Sequence, residues 1–152
     1  MPEVPLDATR LLPITQLLNI HGEGESVPDS PSGIGQIHIS VGDVDKAVAW
    51  YRDVLGLEFL FQVPGQPMAF FNCGGVRLYL GRPENEKFRS RPVLYYRVSD
   101  IEAAVSAVES RGGKFTDQPH LVHRDGKSEL WLAGLEDSEG NPVILMEEKA
   151  TQ

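Results

Sequence analysis

The chain is short of cysteine and of basic residues, and each shortage excludes a class of protein. Cys73 is the one cysteine among 152 residues, so no disulfide can form within the chain and no thiolate zinc cluster can be built. A reducing cytoplasm fits this composition best. Fourteen Lys and Arg stand against twenty-two Asp and Glu, a formal net charge of −8, which argues against nucleic acid and anionic membrane surfaces as partners.

Long apolar stretches are also missing. The longest, residues 11–20, is interrupted by Pro13 and by polar residues, and it falls short of the roughly 20 apolar residues that a membrane-spanning helix needs. The N-terminus lacks the basic segment of a signal peptide. We therefore expect a cytoplasmic protein that does not contact membranes.

An internal repeat organises most of the chain. Residues 36–43 (QIHISVGD) overlay residues 93–100 (VLYYRVSD), and in both places an alternating strand is followed by an Asp that can cap a helix. The period is about 57 residues, as in other proteins built from duplicated units. Each copy predicts the order βαβββ.

The predicted boundaries follow from turn residues and periodicity. Residues 1–33 are an N-terminal extension and linker, in which 14–20 form a short helix and 22–33 are rich in turn formers and acidic residues. The domain spans 34–150, with module one at 34–82 and module two at 92–148. Predicted strands are 34–41, 57–63, 68–72, 76–80, 93–98, 114–122, 129–135 and 143–147, and predicted helices are 44–55 and 101–111.

This pattern resembles a known superfamily. The helix sequence of residues 43–57 (DVDKAVAWYRDVLGL) and the closing turn and strand of residues 136–145 (EDSEGNPVIL) are similar to those of the vicinal oxygen chelate superfamily. That group includes glyoxalase I, methylmalonyl-CoA epimerase, extradiol dioxygenases, fosfomycin-resistance enzymes and bleomycin-binding proteins. The resemblance implies an α+β fold in which paired modules form two incurved mixed sheets around a cup, where function resides.

The resemblance also implies where a metal would be held. Members that bind a divalent ion take ligands from the first and last strands of each module, and the corresponding positions here are Gln36, Arg77, Val93 and Ile144. Gln36 could donate an oxygen, whereas Arg77 would bring a permanent positive charge. We therefore expect no metal and no other cofactor; the alternative is one divalent metal ion, reached if the strand register brings His38 in place of Gln36.

Polar and aromatic residues on the predicted inner faces are candidates for binding a ligand. Arginines could hold an anionic group and tyrosines could stack on a planar one. No residue is assigned a catalytic role, and Cys73 is expected to be inert because no basic residue adjoins it. The candidate ligand-binding residues are Gln36, His38, Phe70, Arg77, Tyr79, Tyr95, Arg97, Ile144 and Met146.

His120 and His123 form an H-x-x-H pair near a predicted strand end. Because side chains alternate along a strand, a spacing of three predicts that the two rings point to opposite faces. The sequence therefore gives them no metal-binding role.

Three functions remain open from the sequence. The first is a small-molecule-binding protein with a metal-free pocket for an anionic or aromatic ligand. The second is a divalent-metal-dependent lyase, isomerase or dioxygenase of the same superfamily, so whether the protein is an enzyme is uncertain. The third is a regulatory or structural subunit. A homodimer is expected in each case, because the superfamily's modules pair within a chain or across a dimer.

Overall fold

The computed structural model describes residues 30–151. The predicted short helix at 14–20 and most of the predicted linker lie outside these residues. Module one contains β1 (Gln36–Ser40), α1 (Val44–Ala49), which continues as a wider π-helical segment (Trp50–Leu55), β2 (Glu58–Gln62), β3 (Met68–Cys73) and β4 (Val76–Gly81). Module two contains β5 (Leu94–Arg97), α2 (Ile101–Ser110), β6 (Phe115–Arg124), β7 (Ser128–Glu136) and β8 (Pro142–Ala150).

Two four-stranded sheets share one topology. Their strand orders are β1-β4-β3-β2 and β5-β8-β7-β6. In each sheet the first strand is parallel to the last, and the remaining pairs are antiparallel. The predicted repeat of βαβββ units and the predicted α+β class are therefore confirmed.

Each helix begins at the predicted cap. Asp43 accepts a hydrogen bond from the Lys46 N–H at 3.0 Å, and Asp100 accepts one from the Ala103 N–H at 3.0 Å. These bonds satisfy amides that the first turn of a helix otherwise leaves without partners. Gly56, with φ of 87°, ends the first helical segment in the left-handed region that glycine adopts most readily.

The core runs from one module into the other. Apolar residues on one side of each sheet pack against the helices, and the cluster joins Tyr51, Phe71 and Leu78 of module one to Ile101 and Leu135 of module two. The opposite face of each sheet does not pack on α1 or α2, and we call these the inner faces. Among residues 30–151, no helix is both long enough and apolar enough to cross a membrane.

Candidate functional site

The inner face of the first sheet carries two rows of side chains. In the first row Gln36 lies opposite Arg77 on the neighbouring strand, and the Arg77 Nε donates a hydrogen bond to Gln36 Oε1 at 2.8 Å. Two of the positions at which the superfamily places metal ligands are thus neighbours. A guanidinium group occupies the place where a cation would need negative or neutral donors.

The second row is aromatic. His38 and Tyr79 have ring centroids 4.5 Å apart, and Tyr79 stacks on Phe70 at 5.1 Å with an interplanar angle of 20°. Phe70 in turn lies 4.8 Å from Phe61, which is 45% exposed. Arg77 reaches over Phe70 at 5.4 Å from its ring centre, so the two rows are joined by a cation–π contact.

The His38 ring is held in place by a serine. Its Nε2 lies 3.0 Å from Ser40 Oγ, which also accepts a hydrogen bond from the Ser90 N–H at 2.8 Å. The Nδ1 atom is buried and has no hydrogen-bond partner among residues 30–151. Burial lowers the pKa of His38, and the main chain of Tyr79 offsets this in part. The imidazole is therefore neutral at neutral pH.

A cavity of about 620 Å³ lies against this inner face. Its floor is formed by Gln36, His38 and Tyr79. Its wall is the connection between the modules, residues 82–91, which includes a single turn of 3₁₀ helix at Glu86–Phe88. The wall residues are Arg82, Pro83, Glu84, Lys87, Phe88, Arg89 and Ser90.

The wall is tied to the sheet at both ends. Ser40 and Ser90 exchange main-chain and side-chain hydrogen bonds of 2.9 and 2.8 Å, and the Arg82 Nε donates to the Gly42 carbonyl at 3.1 Å. The sequence alone did not indicate this wall, because polar residues are typical of any surface connection. One signal was present, since residues 82–91 of this acidic chain include four cations, Arg82, Lys87, Arg89 and Arg91.

Tyr79 is the residue around which the floor is built. Burial raises its pKa, and the nearby negative charge of Glu84 raises it further, so the phenol stays protonated. Its ring lies over Gly81: a Cβ atom at that position would lie 2.5 Å from Tyr79 Cε2 and 2.8 Å from the Pro67 carbonyl oxygen. The absence of a side chain at Gly81 therefore makes room for the tyrosine ring.

The predicted candidates from module two lie together on the inner face of the second sheet. Tyr95 is paired with Ile144, and Arg97 with Met146. Val93 precedes β5 and is 48% exposed. The floor of the described cavity does not include these residues, and their place in a ligand site stays a prediction.

The prediction for His120 and His123 was wrong about their faces. β6 contains three irregularities in its register with β7, and as a result His120 pairs with Leu132 and His123 with Leu130. Leu132 and Leu130 are two residues apart on a regular strand, so both histidines lie on one face of the sheet.

Other residues singled out by the sequence are less distinctive. Cys73 is half-buried and burial raises its thiol pKa, which disfavours the reactive thiolate form. Within residues 30–151, no group of three or more His, Cys, Asp or Glu side chains is placed to hold a metal ion.

Comparison with known proteins agrees with the fold and the repeat. The family model of the Glyoxalase/Bleomycin resistance protein/Dioxygenase superfamily matches residues 33–145, and this chain belongs to that superfamily. A metallothiol transferase, FosB, from Staphylococcus epidermidis is 31% identical in an alignment that covers 69% of this chain and 86% of the relative.

Solved structures share the architecture. A lactoylglutathione lyase from Agrobacterium tumefaciens has a TM-score of 0.60 and 25% identity, over 78% of this chain and 95% of that one. TnmS3, an antibiotic binding protein from Streptomyces sp. CB03234, has a TM-score of 0.63 and 21% identity, over 79% of this chain and 98% of that one. These proteins differ in activity, so the function of this chain has to be argued from its own site.

Proposed function

We propose that this protein binds a small molecule that carries an anionic group and a planar ring, and that it does so without a metal ion. The ligand lies in the cavity between the inner face of the first sheet and the connection of residues 82–91. The observation that carries the proposal is the composition of this cavity, which combines an aromatic floor with a wall that carries three cations and one carboxylate.

Size and charge both support a ligand of this class. A volume of about 620 Å³ falls within the roughly 300–1,000 Å³ of small-molecule sites. Arg82, Lys87 and Arg89 border the cavity although the chain carries a net charge of −8. Arginine matches a carboxylate or phosphate through paired donors, and the faces of Tyr79 and His38 offer a surface on which a planar ring can stack.

Arg77 disfavours a metal ion at the positions where other members of the superfamily hold one. Its guanidinium group is bonded to Gln36, which is the one oxygen donor among the four corresponding positions. A divalent ion at Gln36 would have to displace this bond and lie beside a permanent positive charge. Arg77 does not line the cavity itself, but its hydrogen bond to Gln36 places its positive charge beside the cavity floor.

A second candidate is a metal-dependent enzyme of the superfamily, a lyase, isomerase or dioxygenase. The observation that favours it is the similarity to FosB, whose name describes a metallothiol transferase. A divalent ion would polarise oxygens of the substrate, and Gln36 would be its ligand from this chain. An equivalent of zinc, nickel, manganese or ferrous ion that the wild type retains and Gln36→Leu does not would favour this candidate.

A thermal-shift screen in the presence of EDTA tests the proposal. The probes are aromatic carboxylates such as benzoate, naphthoate and indole-3-acetate, each compared with its neutral amide. We expect at least one carboxylate to raise the melting temperature of the wild type while its amide does not. Removing a charged hydrogen-bond donor should weaken binding by about 1.5–3 kcal/mol, so Arg77→Met and the double variant Lys87→Met/Arg89→Met should lose most of the shift.

Lys114→Met is the matched control, because it removes an exposed cation that directly precedes β6 and does not line the cavity. Its response should equal that of the wild type. Carboxylates that stabilise all the variants equally would place the site elsewhere and refute the proposal.

A further inference from the structure

The inner face of the second sheet carries a line of polar side chains that the proposed ligand site does not use. β6 departs from regular pairing at three places, between Phe115 and Asp117, between Asp117 and His120, and between Leu121 and His123. Each departure inserts one extra residue. Asp117, His120 and His123 consequently pair with alternate residues of β7, namely Gly134, Leu132 and Leu130.

A second observation shows which face this is. A Cβ atom at Gly134 would lie 3.5 Å from Ile144 Cδ1 and 3.6 Å from Asp117 Cβ, so Asp117 and Ile144 flank Gly134 on the same side. Leu132 pairs with Met146 in the same way. His120 and His123 therefore lie on the inner face, opposite the side that packs on α2.

The His120 ring has a defined tautomer. Its Nδ1 lies 2.9 Å from the Gln118 carbonyl oxygen and 3.4 Å from Asp117 Oδ2. Because a carbonyl oxygen can only accept, the proton of the neutral ring lies on Nδ1, which leaves Nε2 as the nitrogen that can ligate a metal. Histidines that ligate metals are oriented by this arrangement, in which the second ring nitrogen donates to a carbonyl or carboxylate.

His123 is available beside it. Its Nε2 lies 3.8 Å from Asp125 Oδ2, which is beyond hydrogen-bond distance, and its side chain is 43% exposed against 46% for His120. Their partners are two residues apart on β7, so the two histidines are separated by about 6.5–7 Å along the strand. Two imidazoles at this spacing on one face can reach a common ion.

We propose that His120 and His123 form a two-imidazole binding site for a divalent transition-metal ion on the inner face of the second sheet. Imidazole suits Zn²⁺, Ni²⁺ and Cu²⁺, and water fills the remaining coordination positions. The Gln118 carbonyl orients the ring of His120, and the Asp117 carboxylate lies 3.4 Å from the same Nδ1. The site is separate from the positions at which the superfamily holds its metal, which fall on the first and last strands of each module.

Calorimetric titration of the full chain with nickel chloride tests this site. We expect one equivalent to bind to the wild type, and binding to weaken at least tenfold in His120→Ala and in His123→Ala. His38→Ala is the control on the first sheet, and His21→Ala is the control outside the described residues; both should bind as the wild type does. Asp117→Asn should weaken binding by a smaller factor than either histidine variant.

Electron paramagnetic resonance of the wild type with one equivalent of Cu²⁺ gives a readout that needs no variant. We expect superhyperfine structure from two imidazole nitrogens. Nickel binding that persists in the double variant His120→Ala/His123→Ala, or a copper spectrum without nitrogen coupling, would overturn the proposal. Loss of binding in Gln36→Leu with both histidines intact would overturn it as well, and would point to the superfamily position instead.

Discussion

Asp137 is a buried carboxylate that joins the two modules through a single residue of the first helix. The Tyr51 hydroxyl donates to Asp137 Oδ2 at 2.8 Å, and the remaining acceptor sites are filled by the main chain of Glu139 and by the main chain and side chain of Asn141. A buried carboxylate that keeps its full set of donors avoids the cost of an unpaired charge. The turn of residues 137–141 therefore stabilises the fold.

Tyr51→Phe should lower the free energy of unfolding by about 1–3 kcal/mol. The substitution removes the hydroxyl donor from a buried carboxylate and leaves the ring in place. Urea unfolding monitored by circular dichroism measures the difference. Tyr95→Phe is the matched control, because Tyr95 is 55% exposed; equal stability of Tyr51→Phe and wild type would show that the Asp137 bond contributes nothing.

The lowered pKa of His38 predicts that the free energy of unfolding decreases as the pH falls. Burial lowers its pKa below the ordinary value of 6.5, so the unfolded chain binds the proton more readily than the folded protein does. Stability from the neutral imidazole is then fully present above pH 6.5 and is lost as the pH falls through the pKa of the folded state. The free energy of unfolding should fall more between pH 7.5 and 5.5 in the wild type than in His38→Gln. The same slope in both proteins would contradict this account.

The sequence alone could predict which candidate residues lie on the same face of a strand. The alternation of β1 placed Gln36 and His38 on one face, and the alternation of β4 did the same for Arg77 and Tyr79. This alternation could not show that Gln36 and Arg77 form a hydrogen bond. The two residues are 41 positions apart, and their contact depends on the register of two parallel strands. The alternation also gave no sign that Gly81 makes space for the Tyr79 ring.

At the scale of elements, the sequence predicted the regular helices and strands but not the irregular segments. The two helices began at the predicted Asp residues, because apolar spacing and caps are local signals. β6 was not predicted correctly. Its irregular register depends on its pairing with β7, so a regular alternation of side chains wrongly placed His120 and His123 on opposite faces of the sheet. The sequence likewise predicted no helix or strand between residues 80 and 93, and it did not indicate that this connection forms the wall of a cavity.

Asp100→Ala should destabilise the protein by about 0.5–2 kcal/mol. The side chain of Asp100 accepts the Ala103 N–H at the start of α2, and alanine would leave that amide without this partner. Ser106→Ala, at an exposed site within the same helix, is the control and should cost little. Chemical denaturation of the three proteins gives the comparison, and an Asp100→Ala protein as stable as wild type would show that the cap is dispensable.

At the scale of the whole molecule, several apolar side chains remain exposed along the inner faces and their edges. Phe61 is 45% exposed, Val93 48% and Tyr95 55%. A second copy of the chain is the simplest partner for such surfaces, because apolar area is stabilised by removal from water. The homodimer expected from the sequence therefore stays a prediction, and these exposed apolar side chains support it.

Light scattering at micromolar concentration tests the assembly. A homodimer should give about twice the chain mass of 16.8 kDa, and Tyr95→Lys should shift the protein toward a monomer by burying a charge at the contact. A clean monomer, both with and without residues 1–33, would reject the dimer.

A calorimetric titration of EDTA-dialysed protein with the aromatic carboxylate that gives the largest thermal shift shows directly whether the cavity binds an anion without a metal. We expect about one equivalent bound to the wild type with no metal present, and binding at least tenfold weaker in Lys87→Met/Arg89→Met. Binding that appears only after zinc or manganese is added, or that is equally strong in the double variant, would contradict a metal-free anion site in this cavity.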